Sequence, residues 1–467
     1  MDAPRASRLR RLILARAYLP EGLFRQLGWT TAGYVGVQAV RFASNLALTH
    51  ILAPALFGIM VLITSIRVGI ELFTDIGIGQ NVIASRNAWE PNFYNTAWTL
   101  QLLRGAVLGV VALAVAPLLY RFYDQEALKE VLPLLSVLFI LTGAHSVGLA
   151  LAVKGLRTKQ IAHYDVWTTV LGSAVTVVLA LIYPNIWGLV AGSIAATCIT
   201  AAWSYFVQPG VNHRFVIRRE YLRDIVLFGR WIFLSSIVFF LASNYDRLIL
   251  AKYISLTMLG IYGISRSLTD IFGQFAIRLG NAIIFPTIAT IELRGADLRA
   301  RLAPRRFQFL IVLALALSIF IALSDLIVRL LYDARYSTAG QLLPWIGLAS
   351  WAGIINTTND SIMLGLSKPN YSAMGNLSKF VALLLILPWA VIDFGVIGAA
   401  AATAIAEVAR YLVLNRGQSK EGVRFTRQDV LSTLLLLVIV VLVRGLTGAL
   451  GLTSGIADLI NLVPITS

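Results

Sequence analysis

The chain has 467 residues, of which 58% are hydrophobic and 13% charged, and its mean hydropathy is +0.78. A soluble domain carries roughly a quarter charged residues, so a water-soluble fold is excluded and an all-α polytopic membrane protein is implied. The net charge of +16 suits basic loops that orient membrane helices rather than a nucleic-acid partner.

Residues 1–27 form a basic arm containing Arg5, Arg8, Arg10, Arg11, Arg16 and Arg25. Its apolar piece, around Leu12 to Ala15, is too short for a secretory signal, so a cytoplasmic, interfacial arm is expected. Twelve spans follow, near 28–50, 57–83, 95–120, 131–153, 161–183, 186–207, 228–252, 257–285, 307–332, 339–365, 371–392 and 396–416. A thirteenth lies near 430–450, and a short segment near 455–465 would make a fourteenth. A span needs about 20 apolar residues to cross roughly 30 Å of hydrocarbon. Turn residues such as Ala53-Pro54, Tyr183-Pro184-Asn185 and Lys368-Pro369-Asn370 separate them.

Loop charge sets the orientation. With the N-terminus inside, one set of connections holds Lys154, Arg157 and Lys159; Arg214, Arg218, Arg219 and Arg223; Arg294, Arg299, Arg301, Arg305 and Arg306; and Arg416, Lys420, Arg424 and Arg427. The opposite connections hold few cations, and those around Pro54 and Pro184 hold none. This asymmetry predicts a multi-pass membrane protein with a cytoplasmic N-terminus.

The chain repeats itself. Residues 51–59 match 253–261 at an offset of 202, while Gly155-Leu156 matches Gly365-Leu366, and Gly188 matches Gly398, at an offset of 210. The expected organisation is an N-lobe at 28–207, a cytoplasmic linker at 208–227, a C-lobe at 228–416, and a 417–467 segment carrying the thirteenth span and tail. Six spans in each half give both the same orientation, hence a parallel repeat.

Ionisable residues inside spans are costly and mark cavities or pairs. Arg41 lies on the first span; Arg67, Glu71 and Asp75 on the second; Arg104 on the third; Asp246 and Arg247 on the seventh; Arg266 and Asp270 on the eighth; Lys379 on the eleventh; and Glu407 and Arg410 on the twelfth. Arg67 and Arg266 lie about 15 Å from the outer mouths of their helices, near the bilayer midplane. One reading is an anion-binding cavity between the lobes, with Arg41, Arg67, Arg266, Arg104 and Lys379 holding phosphate oxygens through charge-assisted hydrogen bonds. The plainer reading neutralises them in place, as Arg67 with Glu71, Arg266 with Asp270, and Glu407 with Arg410. Glu71, Asp75, Asp246, Asp270 and Glu407 are candidates to bind a coupling H+ or Na+; a turn role is an alternative for Asp75 beside Gly77 and Gly79. No Walker A or HExxH pattern is present and the four histidines are scattered. Neither catalysis nor a bound cofactor or metal is therefore expected.

The stretch Leu48-Thr49-His50-Ile51-Leu52-Ala53-Pro54-Ala55-Leu56-Phe57-Gly58 resembles the first-loop signature of the polysaccharide transporter family. Phe73-Thr74-Asp75-Ile76-Gly77-Ile78-Gly79-Gln80 is similar to that family's second-helix ending, and Asp246-Arg247-Leu248-Ile249-Leu250 followed by Leu259-Gly260-Ile261-Tyr262 resembles its seventh-to-eighth helix passage. The resemblance implies the multidrug/oligosaccharidyl-lipid/polysaccharide flippase fold, with two six-helix lobes in a V and one or two extra C-terminal helices here. It also implies Wzx-type translocation of undecaprenyl-pyrophosphate-linked oligosaccharide for exopolysaccharide, capsule or O-antigen synthesis, by alternating access. The partners it implies are the polyprenyl-pyrophosphate-linked oligosaccharide, membrane lipids and polysaccharide polymerase or export machinery. In the related lipid II flippases cavity arginines on the first, second and eighth helices matter, and Arg41, Arg67 and Arg266 occupy those helices. A multidrug cation antiporter and a lipid II flippase are the alternatives on the same fold.

Overall fold

The computed structural model describes residues 21–280, 284, 288 and 293–455. The arginines at 5–16 and nearly all of the segment at 455–465 lie outside the described residues. In chain order the helices are α1 Glu21–Ile51, α2 Pro54–Leu72, α3 Ile78–Ala84, α4 Pro91–Tyr123, α5 Glu126–Val131, α6 Leu135–Gly143, α7 Gly148–Lys154 and α8 Thr158–Ile182. There follow α9 Ile186–Ser204, α10 Arg219–Tyr253, α11 Leu256–Leu279, α12 Gly295–Ala322, α13 Ser324–Leu331, α14 Thr338–Gly365, α15 Pro369–Lys420 and α16 Thr426–Ala449.

Seven helices of the described residues are long and apolar enough to cross a membrane, or eight if the bent pair Glu126–Gly143 and Gly148–Lys154 is one span. These are α2, α4, α8, α9, α12, α15 and α16. α15 counts once although Gly395 breaks it at φ 55°, ψ −134°, so its stretches 369–394 and 396–420 are two helices. α1, α10, α11 and α14 are as long but carry the ionisable or polar residues that lower their apolarity, and α14 turns Asn356, Thr358 and Asn359 into the protein interior. Apolar side chains such as Leu103, Val107, Val110 and Leu118 on α4 stay exposed, as a lipid-facing surface requires.

Among the described residues, three expected spans are not single helices. The second ends at Leu72 and resumes at Ile78, because Asp75 Oδ1 accepts the Gly77 N–H at 2.9 Å and Gly77 takes φ 59°. A side chain at Gly77 would also lie 2.3 Å from Ile232. The fourth is split between α6 and α7, and the ninth between α12 and α13.

Packing divides the chain into two compact units. One holds the described part of Met1–Ile51, Thr74–Val115 and Pro133–Ile232; the other holds Leu52–Phe73, Ala116–Leu132 and the described part of Phe233–Ser467. The first has a core of Ile78, Val82, Phe93, Trp98, Leu151 and Ile225. The second has one around Leu313, Leu317, Trp351, Ile354 and Leu436. In the first unit the linker before α10 runs extended along α4: Arg214, Val216 and Arg218 donate their N–H groups to Asn95, Thr99 and Thr96 at 2.8, 3.2 and 3.2 Å. His213 packs against Trp98 and Tyr205 with ring centroids 5.1 Å apart, and burial pushes its imidazole below the ordinary range.

The internal repeat has a geometric counterpart. Leu156 and Ser367 both take positive φ, at 53° and 60°, and behind each a backbone N–H closes onto the preceding helix, Arg157 to Ala152 and Lys368 to Met363. These caps fall one residue beyond the offset expected from the sequence. Gly188 faces the carbonyl of Tyr183, which caps α8, and Gly398 a carbonyl of the first stretch of α15; a Cβ would lie 2.2 Å from Tyr183 O and 1.8 Å from Ala390 O.

Gly58 and Gly260, the matched glycines of the first repeat, meet where α2 crosses α11. A Cβ on Gly58 would lie 1.9 Å from Leu256 O, and one on Gly260 2.0 Å from Pro54 O. The obstacle is backbone, which cannot rotate aside. Gly260→Val is therefore expected to destabilise the purified protein by about 1–3 kcal/mol through overpacking, seen as a lowered melting temperature in detergent. A variant that melts like the parent would refute this crossing.

Charged helices of the second unit and family membership

α11 begins at Leu256 because Ser255 Oγ accepts the Met258 N–H at 3.2 Å, a side-chain cap that satisfies one free helix donor. Helical periodicity places Arg266 and Asp270, four residues apart, one turn apart on a single face. Arg266 Nε donates to Asp270 Oδ1 at 3.1 Å, and its Nη1 lies 3.8 Å from Asp246 Oδ2. Tyr262 donates its hydroxyl to the same Asp246 oxygen at 2.5 Å. Arg247 on α10 completes the group: Nη2 donates to Asp270 Oδ2 at 3.3 Å and Nη1 to Asn244 Oδ1 at 3.1 Å.

A second group joins α14 to both halves of α15. Lys379 Nζ donates to Glu407 Oε1 at 2.6 Å. Asn356 Nδ2 donates to Glu407 Oε2 at 2.7 Å, and Arg410 bridges Glu407 at 3.9 Å and Asp360 at 3.2 Å. Glycines leave room for these charges: a Cβ on Gly353 would lie 3.3 Å from Glu407 Oε1, and one on Gly375 3.2 Å from the Arg410 stem. Across the two groups the cations Arg247, Arg266, Lys379 and Arg410 are balanced by Asp246, Asp270, Asp360 and Glu407.

Within the second unit Arg67 Nε lies 3.7 Å from Glu71 Oε1. In the first unit Arg104 Nε donates to Thr74 Oγ1 at 3.3 Å, and Asp75 holds the turn before α3. Arg41 is exposed on α1, and among the described residues it has no hydrogen-bonding or ionic partner. Among the described residues no group of three His, Cys, Asp or Glu side chains is placed to hold a metal ion.

Two buried ion pairs escaped the sequence reading. Arg306, counted there as a loop cation, is 3% exposed inside α12. Its Nη2 donates to Asp429 Oδ1 at 2.6 Å, Asn359 Oδ1 at 2.8 Å and Thr358 Oγ1 at 3.0 Å, and its guanidinium sits 5.0 Å over the Phe425 ring. Arg444 is fully buried and donates to Asp325 Oδ2 at 2.8 Å, Ser324 Oγ at 3.0 Å and Ile321 O at 3.2 Å. An arginine near a helix end reads as a membrane anchor unless the matching acid is known, and both acids lie on distant helices. These two pairs fasten the two ends of the thirteenth expected span, α16.

Long helices, lipid-facing apolar surface and ion pairs buried within the protein define a multi-span membrane protein. The fold agrees with the inward closed conformation of the lipid II flippase MurJ, with a TM-score of 0.69 at 10% identity, over 91% of this chain and 99% of that one. The family model described as polysaccharide biosynthesis protein matches residues 47–340, and the chain belongs to that family. Among its relatives are the succinoglycan biosynthesis transport protein ExoT of Rhizobium meliloti, 22% identical over 56% of this chain and 53% of ExoT, and the lipopolysaccharide biosynthesis protein WzxC of Escherichia coli, 20% identical over 72% of this chain and 67% of WzxC.

Proposed function

We propose that the chain is a flippase that translocates an undecaprenyl-pyrophosphate-linked oligosaccharide repeat unit across the bacterial inner membrane for exopolysaccharide, capsule or O-antigen synthesis. The observation that carries this reading is the meeting of two findings in one chain: membership of a polysaccharide biosynthesis family and the architecture of a lipid flippase over nine-tenths of its length. The N-terminus is cytoplasmic, and the glycan is received from cytoplasmic assembly and passed to polymerase or export machinery.

In this mechanism the diphosphate enters from the cytoplasmic side and the polyprenyl tail stays in lipid. Arg41, Arg67 and Arg266 bind the diphosphate, with Arg104 and Lys379 in support, while access alternates between the two membrane faces. Guanidinium forks match phosphate oxygens and remain charged at any working pH. Glu71, Asp75, Asp246, Asp270 and Glu407 are the groups through which H+ or Na+ would couple to the cycle. Lys379 reaches an anion only by leaving Glu407, and Asp75 reaches a cation only by leaving its turn.

Arg41 gives the cleanest test because, among the described residues, no internal partner is lost with it. A charge-assisted hydrogen bond is worth about 1.5–3 kcal/mol. Arg41→Ala is therefore expected to lower export of polymer roughly 10- to 100-fold, with unchanged amounts of folded protein in the membrane. Normal export would remove Arg41 from the mechanism. The reading as a whole is tested by deleting the gene and analysing the lipid fraction: a polyprenyl-diphosphate oligosaccharide should accumulate on the cytoplasmic leaflet, and a deletion strain with unchanged lipid-linked sugar overturns it.

A further inference from the structure

We infer that Asp270 is an internal competitor for the substrate's diphosphate, and that Arg247 joins Arg266 as the two-armed clamp for which they compete. The inference rests on the flippase reading for the identity of the anion, and on the side-chain geometry for everything else.

Asp270 gives one carboxylate oxygen to each arginine, Oδ1 to Arg266 Nε at 3.1 Å and Oδ2 to Arg247 Nη2 at 3.3 Å. Two guanidinium groups on different helices are thus held with donors aimed at two oxygens of a single anion. A diphosphate presents the same arrangement with more oxygens and more charge, and suits arginine forks at least as well. Arg247 is already oriented for the task, since Asn244 Oδ1 accepts from its Nη1 at 3.1 Å.

Exposure separates the two acids that touch Arg266. The Asp246 side chain is 5% exposed and the Asp270 side chain 39%. Asp246 also accepts the Tyr262 hydroxyl, so pulling it away would leave a buried charge unpaired, which is severely unfavourable. Asp270 can rotate into water, and a partly exposed ion pair contributes little to stability. Asp246 is accordingly the counter-ion that stays with Arg266 while the anion binds, and Asp270 the one that yields. An internal carboxylate that returns to the clamp weakens anion binding, and so favours release of the diphosphate after translocation.

The test uses the purified full-length protein in lipid nanodiscs with inorganic pyrophosphate as the probe, measured by calorimetry. Asp270→Asn keeps the shape of the side chain and removes its charge, and is expected to tighten pyrophosphate binding about tenfold. Arg247→Gln should weaken it about tenfold in both the parent and the Asp270→Asn background. Asp246→Asn serves as the comparison, and is expected to lower the melting temperature without that gain in affinity. In cells, Asp270→Asn should slow export despite tighter binding. Equal pyrophosphate affinity in parent and Asp270→Asn, or no effect of Arg247→Gln, overturns the inference, as does failure of parent and Asp270→Asn alike to bind pyrophosphate. If the affinities shift as expected while the deletion strain shows unchanged lipid-linked sugar, the clamp stands and the flippase reading falls.

Discussion

Arg444→Ala is expected to destabilise the protein by about 3–5 kcal/mol, the cost of stripping the partner from a buried ion. Arg444 is fully buried and is held by Asp325, Ser324, Ser454 and the Ile321 carbonyl. Among the described residues, alanine leaves the 5%-exposed Asp325 accepting only from the Ser454 N–H and hydroxyl, both at 2.7 Å. The carboxylate must then stay charged in a poorly solvated place or take up a proton. The measurement is the thermal midpoint in detergent, beside the double variant Arg444→Met/Asp325→Asn, which removes both charges and should recover much of the loss. The double variant also separates charge from packing: if it is as unstable as Arg444→Ala, the arginine acts through its bulk and the electrostatic account is wrong. Arg306→Ala, which strands Asp429 at the other end of α16, should behave alike, so that α16 is fastened by two independent pairs.

The second large effect is expected at Arg266, and it has two components. Arg266→Ala removes the ion-pair partner of Asp246 and one of the two arginines on Asp270. Polymer export should fall to background, and the amount of folded protein should fall too, because Asp246 is left buried and unpaired. The double variant Arg266→Ala/Asp246→Asn distinguishes the two. It should restore folded protein in the membrane toward the parental amount while export stays at background, since neutralising the stranded acid repairs the fold but supplies no anion ligand. Recovery of export along with folding would mean that Arg266 serves architecture alone. This contrasts with Arg41, whose loss should reach export without passing through stability.

Much of the architecture was legible in the residues. Apolar runs of span length, the turn prolines and the loop cations each report on a local property, namely the free energy of moving a segment from water into hydrocarbon. The repeat was legible for the same reason: Gly58, Gly260, Gly188 and Gly398 sit where the backbone of another segment comes too near for a side chain, a demand that leaves its mark in sequence. The Asp75–Gly77 break was hinted at by its turn residues. It was absorbed into a longer span because the flanking residues are apolar enough to continue.

Pairing of the buried charges was decided elsewhere. By itself the sequence determined that the chain is an all-α membrane protein with a duplicated plan, and that arginines, a lysine and carboxylates lie at depths where they must be satisfied. It also supplied the i, i+4 partners Arg67–Glu71 and Arg266–Asp270, which follow from helical periodicity. Only the tertiary structure decided that Asp246 shares Arg266, that Lys379 belongs to Glu407, and that Arg306 and Arg444 are sealed inside rather than snorkelling to headgroups. The physical reason is one of range. Burial and helix formation are settled within a few residues along the chain, whereas an ion pair in a medium of low dielectric is settled by whichever opposite charge the packing of distant helices brings within about 4 Å.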